Sequence, residues 1–553
     1  MKIELKIDGN PMQDFEIDNP LKIKELMSSV SGITNPILAY KINHNLYVNE
    51  DYLLDRDTQV EGITIRHPEG YRIYQDSALF VLAKAMYNIF GSEHSLVAEH
   101  SINDGIYCEV FKVEAFTEED CAHVEEEMRK IVNNALPIEK LDVRFDEAED
   151  IFSTMGRNDL LKNLQYFTMR NLIIYRCGKF YDYYIRPLVD NTKYIVEFEL
   201  VYNAPGFVLR LPSGKGGILT HHFTLSAKLF NLHQEQDKWL NILKVHNIID
   251  LNKLIDNYDI SQFILVEEAL HEKKIAEIAA QIVANPEWKI VLIAGPSSSG
   301  KTTFAKRLSV QLQACKATPL VISLDDYFLN REKTPKKENG SYDFESIYAL
   351  DLDLLNTQLN QLLRGESVEL PKFNFSRGMS QRSHVPVKMN KDSIILMEGI
   401  HGLNDLLTSG VDAKSKVKIY VSALNQLNID NHNRIATTDC RLIRRMVRDY
   451  RYRGYSAEET LMRWPDVREG EEKNIFPYQE NADFMFNSSL TYELGVFRKY
   501  AWKMLQKISP KSTVFTEAQR LELLLSFIRD IPDSLVPYNS IIREFTNGSI
   551  FQY

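Results

Sequence analysis

The sequence predicts a multidomain chain, α+β in its N-terminal half and α/β in its C-terminal half. Three observations lead there. At 553 residues the chain exceeds what one hydrophobic core organises, and three or four domains is the natural expectation. From Lys289 onward, short β-branched runs (KIVLIAG, PLVISLD, SIILMEG, KVKIYVS) alternate with helical stretches, the pattern of a mainly parallel sheet flanked by helices. Before that region, alternating strands mix with an apolar-periodic helix.

Composition narrows the class. Hydrophobic residues make up 44% and charged residues 25%, ordinary for a globular protein. A formal net charge of -11 counts against a chain-wide nucleic-acid coat and leaves room only for a local basic patch. The five cysteines (Cys108, Cys121, Cys177, Cys315, Cys440) show no CxxC spacing, which points to reduced thiols rather than a disulfide framework or a zinc site. The opening MKIELKIDGN lacks the apolar core of a signal peptide, and no uncharged apolar run reaches bilayer length. The expectation is a cytoplasmic protein with no membrane partner. No sequence feature sets its oligomeric state.

The elements divide the chain as follows. Residues 1–65 read as a small β-rich unit: a strand near Lys2 to Ile7, a short helix in LKIKELMSSV, and two strands in ILAYKINHNLYV around an Asn-His-Asn turn. Residues 66–205 read as an α+β unit that opens on the helix DSALFVLAKAMYNIF and later carries the strand-like NLIIYRCG and KYIVEFELVYN. Pro205 opens the loop-like PGFVLRLPSGKGG, where Gly214, Gly216 and Gly217 confer flexibility, and residues 206–286 continue as a helical connector. Residues 287–508 form the α/β unit. Residues 509–553 make a tail with one helix, AQRLELLLSFIRDI, and an irregular end.

Within the α/β unit, Gly295-Pro-Ser297-Ser298-Ser299-Gly300-Lys301-Thr302 fits G-x-x-x-x-G-K-[ST] between a strand run and a helix that continues through Thr303. The glycines let the loop curl so that its amides face phosphate oxygens, and the helix N-terminus adds partial positive charge. Lys301 is expected to reach the β- and γ-phosphates and Thr302 to ligate Mg²⁺. No N-K-x-D guanine-reading motif is found, because Asn390-Lys391-Asp392 has the wrong spacing.

Three further pieces follow in order. PLVISLDDYF puts Asp325 and Asp326 at a strand's C-terminal end, where one carboxylate can take a proton from an acceptor hydroxyl and help hold Mg²⁺. The other reads as a turn or cap residue. The run Ile394–Met397 ends in Glu398-Gly399, a strand that delivers a carboxylate beside the phosphate loop. In RLIRRMVRDYRYRG, Arg441, Arg445 and Arg448 share a helical face and Arg444 and Arg451 a neighbouring stripe. Only Asp449 lies among these six arginines to balance them, so the run is expected to close over phosphates as a lid.

These four pieces, in this order, resemble the uridine kinase and phosphoribulokinase family over roughly residues 288–490, including YDFES, LPKFNF and LMEGIHG. The resemblance implies ATP as phosphoryl donor and Mg²⁺ as metal. It implies Asp325 as catalytic base, with Thr302, Asp325 and Glu398 at the metal and Lys301 and Arg445 on the transferring group. Arg448 and Arg453 would face phosphates, and Tyr327, Glu345, Phe373 and Arg445 would border the acceptor, with a nucleoside the implied small molecule. Departures fall in the acceptor pocket. Glu345 stands in place of an aspartate, Phe373 in place of a tyrosine, and the pyrimidine-reading histidine is missing near Gly378. Tyr455 and Arg463 replace an arginine and a glutamine, and an Asn-rich stretch, NQLNIDNHNRIATTD, precedes the lid.

Residues 1–65 resemble the TGS domain, a small β-grasp-like module, and residues 66–205 resemble the tRNA-editing second additional domain of threonyl-tRNA synthetases. The editing module uses an H-x-x-x-H and a C-x-x-x-H pair. This chain has Asp76 and Phe80, then Tyr184 and Leu188, at those positions. An editing hydrolase is therefore not expected there. The two halves leave two readings: a kinase acting on a small hydroxyl acceptor, or an ATP-switched regulatory protein associated with tRNA or ribosomes, with RNA as partner of the N-terminal half.

Overall fold

The computed structural model describes residues 1–552 apart from 8–9, 34, 93, 103–104, 112–113, 168–170, 213–218, 220–225, 338–339, 375–376 and 426. The expected flexible Gly214, Gly216 and Gly217 lie outside the described residues. Among the described residues no helix is long and apolar enough to cross a membrane.

The first unit is a five-stranded sheet in which Lys2–Ile7 pairs parallel with Thr58–Thr64 and antiparallel with Gln13–Glu16. Ile37–Ile42 and Leu46–Val48 meet at a turn where Asn43 and His44 both take positive φ, 46° and 62°. Two successive left-handed residues match the twist of a tight hairpin, and Asn tolerates that region. The short helix is Ile23–Met27.

The second unit is built around Pro68–Phe90, a helix capped by the His67 ring and started by Pro68. Residues 78–83 are all buried, because two sheets and the helix Glu118–Asn133 surround it. A further sheet in this unit corrects the sequence reading. PGFVLR is a strand, Gly206–Arg210, which pairs with Glu199–Asn203 on one side and Gly105–Phe111 on the other. Gly206 is required there, since a Cβ would stand 2.0 Å from the Cys108 carbonyl oxygen. KYIVEFELVYN is strand only from Glu199; Thr192–Tyr194 form a 3₁₀ turn, and Ile195 and Phe198 are core residues.

The connector helices are Ala227–Leu243, Ile248–Asp256 and Ile260–Ala284, and the last packs on the helix Lys301–Ala314. The α/β unit carries five parallel strands in the order 318–323, 393–398, 290–294, 416–422, 484–487. The central strand Ile290–Ala294 is buried throughout, as a strand covered on both faces must be. All five carboxyl ends point to one edge, and the site lies there.

Candidate active site

Between Ala294 and Lys301 the chain makes the tight loop the motif requires. Gly300 has φ 79° and Ser298 φ 59°. A Cβ on Gly295 would lie 1.9 Å from the Val421 carbonyl oxygen, so only glycine lets the loop leave the sheet at that point. The helix Lys301–Ala314 starts at Gly300, which has no side chain to cap its first amides.

Thr302 Oγ1 donates to Glu398 Oε1 at 3.0 Å, which joins the phosphate-loop helix to the end of the neighbouring strand. Burial raises the Glu398 carboxyl, while Lys301 and the Thr302 hydroxyl act in the opposite sense. Lys301 Nζ donates to the Pro296 carbonyl at 3.1 Å. Burial lowers its ammonium, and Glu398, Glu544 and Glu471 support the charged form.

The two aspartates differ. Asp326 accepts from the Phe373 amide at 3.2 Å and from Lys372 Nζ at 3.3 Å, and so ties the hairpin Ser367–Asn374 and Met379–Lys388 to the sheet. Among the described residues no hydrogen bond engages the Asp325 carboxylate. Solvent reaches it, yet it lies within the cleft, so surrounding protein raises its carboxyl while Lys301 and Arg453 hold it down.

In the lid helix Thr437–Tyr452 the arginines split into two groups, and this corrects the sequence reading. Arg441 and Arg444 are 1% and 0% exposed, and their anionic partners are carboxylates of the chain itself. Arg441 forms a bidentate pair with Glu471, and Arg444 with Glu493. Both guanidinium groups also donate to the phosphate loop, at the Ser297 and Ser298 carbonyls. Arg445, Arg448 and Arg453 form the second group around the buried Asp449. Arg445 Nη1 donates to Ser297 Oγ at 2.7 Å. Arg448 acts electrostatically on Lys301, and Arg453 on Asp325.

The residues expected at the acceptor are less uniform. Glu345 lies in the field of Glu471 and Arg445, the first raising and the second lowering its carboxyl after burial has raised it. The Phe373 ring packs 5.7 Å from Phe328. Tyr327 is 1% exposed and its hydroxyl donates to Gln358 at 2.8 Å, which directs it into the core rather than the cleft.

Glu471, Glu493 and Glu544 carried no signal in the sequence, where Glu471 is one carboxylate of the charged run REGEEK and the other two stand alone. Glu471 accepts from the Ser297 amide at 2.8 Å, and Glu544 from the Thr303 amide at 3.2 Å. Two amides of the phosphate loop thus end on carboxylates of the same chain. An excess of arginines with one local counter-charge was the available hint.

At the positions implied for the editing pair, Phe80 and Tyr184 pack edge-to-face at 6.0 Å, Leu188 is buried, and Asp76 pairs with Arg186 at 3.2 Å.

The fold and site define a P-loop phosphotransferase architecture. Residues 290–494 match the family model described as "Phosphoribulokinase / Uridine kinase family". A uridine kinase of Lactobacillus helveticus is 30% identical over 173 residues, 30% over a span that covers 31% of this chain and 72% of that protein. The chain belongs to the phosphoribulokinase/uridine kinase family. Its N-terminal region matches threonine–tRNA ligases, among them that of Lawsonia intracellularis, 30% identical over 30% of this chain and 26% of the ligase. The chain spans about a quarter of the length of those ligases. Among solved structures, a possible uridine kinase from Bacillus stearothermophilus aligns with 36% of this chain and 89% of its own at 19% identity and TM-score 0.25.

Proposed function

We propose that this protein is an ATP-dependent kinase that transfers the γ-phosphoryl group to a hydroxyl of a small acceptor, a nucleoside in keeping with its uridine kinase relative. The observation that carries the reading is the convergence of Lys301, the Thr302–Glu398 pair and the unengaged Asp325 at the carboxyl edge of one parallel sheet. Asp325 takes the proton of the acceptor hydroxyl as its oxygen bonds to the γ-phosphorus, and the bond to the β-bridging oxygen breaks to leave ADP. Lys301 and Arg445, with Arg448 and Arg453 behind it, stabilise charge on the transferring group. The remaining loop amides and Ser297, Ser298, Ser299 and Thr303 orient the donor. Thr302, Glu398 and Asp325 form an oxygen donor set that fits Mg²⁺, which when bound neutralises charge on the β- and γ-phosphates. Glu345, Phe373 and Arg445 border the acceptor.

The test is a panel of nucleosides and sugars incubated with protein, ATP and Mg²⁺ and read by mass spectrometry. A phosphorylated acceptor is expected, with turnover at least 100-fold lower in Lys301→Ala and Asp325→Asn. Unchanged turnover in both variants refutes the roles assigned. The match to threonine–tRNA ligases supports a second reading, an ATP-switched regulator bound to tRNA or ribosomes. ATP hydrolysis stimulated by tRNA, with no phosphorylated small molecule, would favour it.

A further inference from the structure

The segment Ser540–Thr546 lies beyond the residues matched by the family model and is seated on the phosphate loop. Ile541, Ile542 and Phe545 are each 0% exposed. A Cβ on Gly300 would stand 2.7 Å from Ile541 Cγ2, so this side chain touches the loop's second glycine. The Arg444 guanidinium stacks on Phe545 at 5.3 Å, and Arg451 donates to the Thr546 carbonyl. With three apolar side chains buried, the segment is a fixed wall of the site, not a mobile cover.

From this wall Glu544 reaches the loop. Its Oε2 accepts from the Thr303 amide at 3.2 Å and from Thr303 Oγ1 at 2.5 Å. That amide belongs to the first turn of the phosphate-loop helix, where backbone N–H groups cradle α/β-phosphates. Glu544 also acts electrostatically on Lys301 and Glu398. A carboxylate and a phosphate cannot share one amide. Unlike Glu471, whose two oxygens are held by Arg441 and Arg468, Glu544 can turn away without breaking an ion pair among the described residues.

We infer that Glu544 sets the affinity for the nucleotide donor: its carboxylate holds the anion position on the Thr303 amide and must turn out before the α/β-phosphates of a nucleoside di- or triphosphate can dock. The inference rests on the proposed use of a nucleotide donor. It makes Glu544 a residue that selects on donor charge, from outside the family's matched region.

Calorimetric titration of the full chain with Mg·ATP, ADP and adenosine, without acceptor, tests it. Glu544→Gln and Glu544→Ala are expected to bind ATP and ADP roughly tenfold more tightly than wild type, with adenosine unchanged. Lys301→Ala is the control that weakens binding. Nucleotide affinity within twofold of wild type in both Glu544 variants, with Lys301→Ala weakened, overturns the inference and leaves the proposed function standing. An equal gain for adenosine also overturns it, since that would mark a shifted wall. Absence of nucleotide binding by every form refutes both.

Discussion

Arg444 and Glu493 are an ion pair with 0% and 1% of their side chains exposed, at the base of the lid. Two charges held that far from water tolerate joint removal better than the loss of one. Glu493→Gln should lower unfolding free energy by about 3–5 kcal/mol in urea titrations, and the double variant Arg444→Met, Glu493→Leu should lose less. Glu267, on the connector helix Ile260–Ala284, works through its proton instead. Burial pushes its carboxyl up to about 8 from the ordinary 4.5, although Thr491 donates to it through both amide and hydroxyl. The folded chain therefore keeps a proton that the unfolded chain gives up. That contribution is full below pH 4.5 and is lost as pH rises toward 8, by about 1.4 kcal/mol per unit. Urea midpoints should fall across this range, and Glu267→Gln should flatten the fall. At this scale the sequence was readable where backbone chemistry dictates spacing: Gly295, Gly300, Lys301 and Thr302 follow from what a phosphate loop needs. The carboxylates that answer Arg441, Arg444 and Thr303 stand 30, 49 and 241 positions away, and no local pattern marks them.

The Asn-rich stretch before the lid helix is an element whose purpose composition alone did not reveal. In the structure it is the wedge between the second unit and the α/β unit. Asn428 Nδ2 donates to the Ala98 carbonyl, Asn431 Nδ2 to Ser95 Oγ, and the Asn431 carbonyl accepts from the Ala98 amide. Asn433 serves both sides, donating to the Tyr183 carbonyl at 2.9 Å and to Asp430 at 2.8 Å. Amide side chains suit this place because each offers a donor and an acceptor to backbone groups that water cannot reach. Asn433→Ala should cost about 2–3 kcal/mol and speed hydrogen exchange at residues 183–185. Periodicity made four of the five parallel strands of the α/β unit legible from Lys289 onward, and missed the four-residue edge strand Phe484–Asn487. It failed at PGFVLR, where proline and glycine punctuation outweighed three apolar residues, and where one of the two partner strands, Gly105–Phe111, lies about a hundred positions away.

Across the whole molecule, one chain of charges links three units. Arg72 meets Glu517, Arg520 joins Glu517 to Asp439, and Arg186 joins Asp439 to Asp76. Asp439 stands in the first turn of the lid helix, so the second unit, the tail and the lid share one anchor. Calorimetry of the intact chain should give a single cooperative transition, and Asp439→Asn should divide it into two. The seating of the carboxyl-terminal segment also bears on laboratory practice. The Gln552 carbonyl accepts from Lys306, on the very helix that begins with Lys301. A bulky reporter attached beside Gln552 would press on that helix and should disturb titrations of the phosphate loop. The Met1 amine donates to the Ile17 carbonyl in a sheet that shares no residue with the phosphate loop, so a reporter attached within that first unit leaves the loop's surroundings intact.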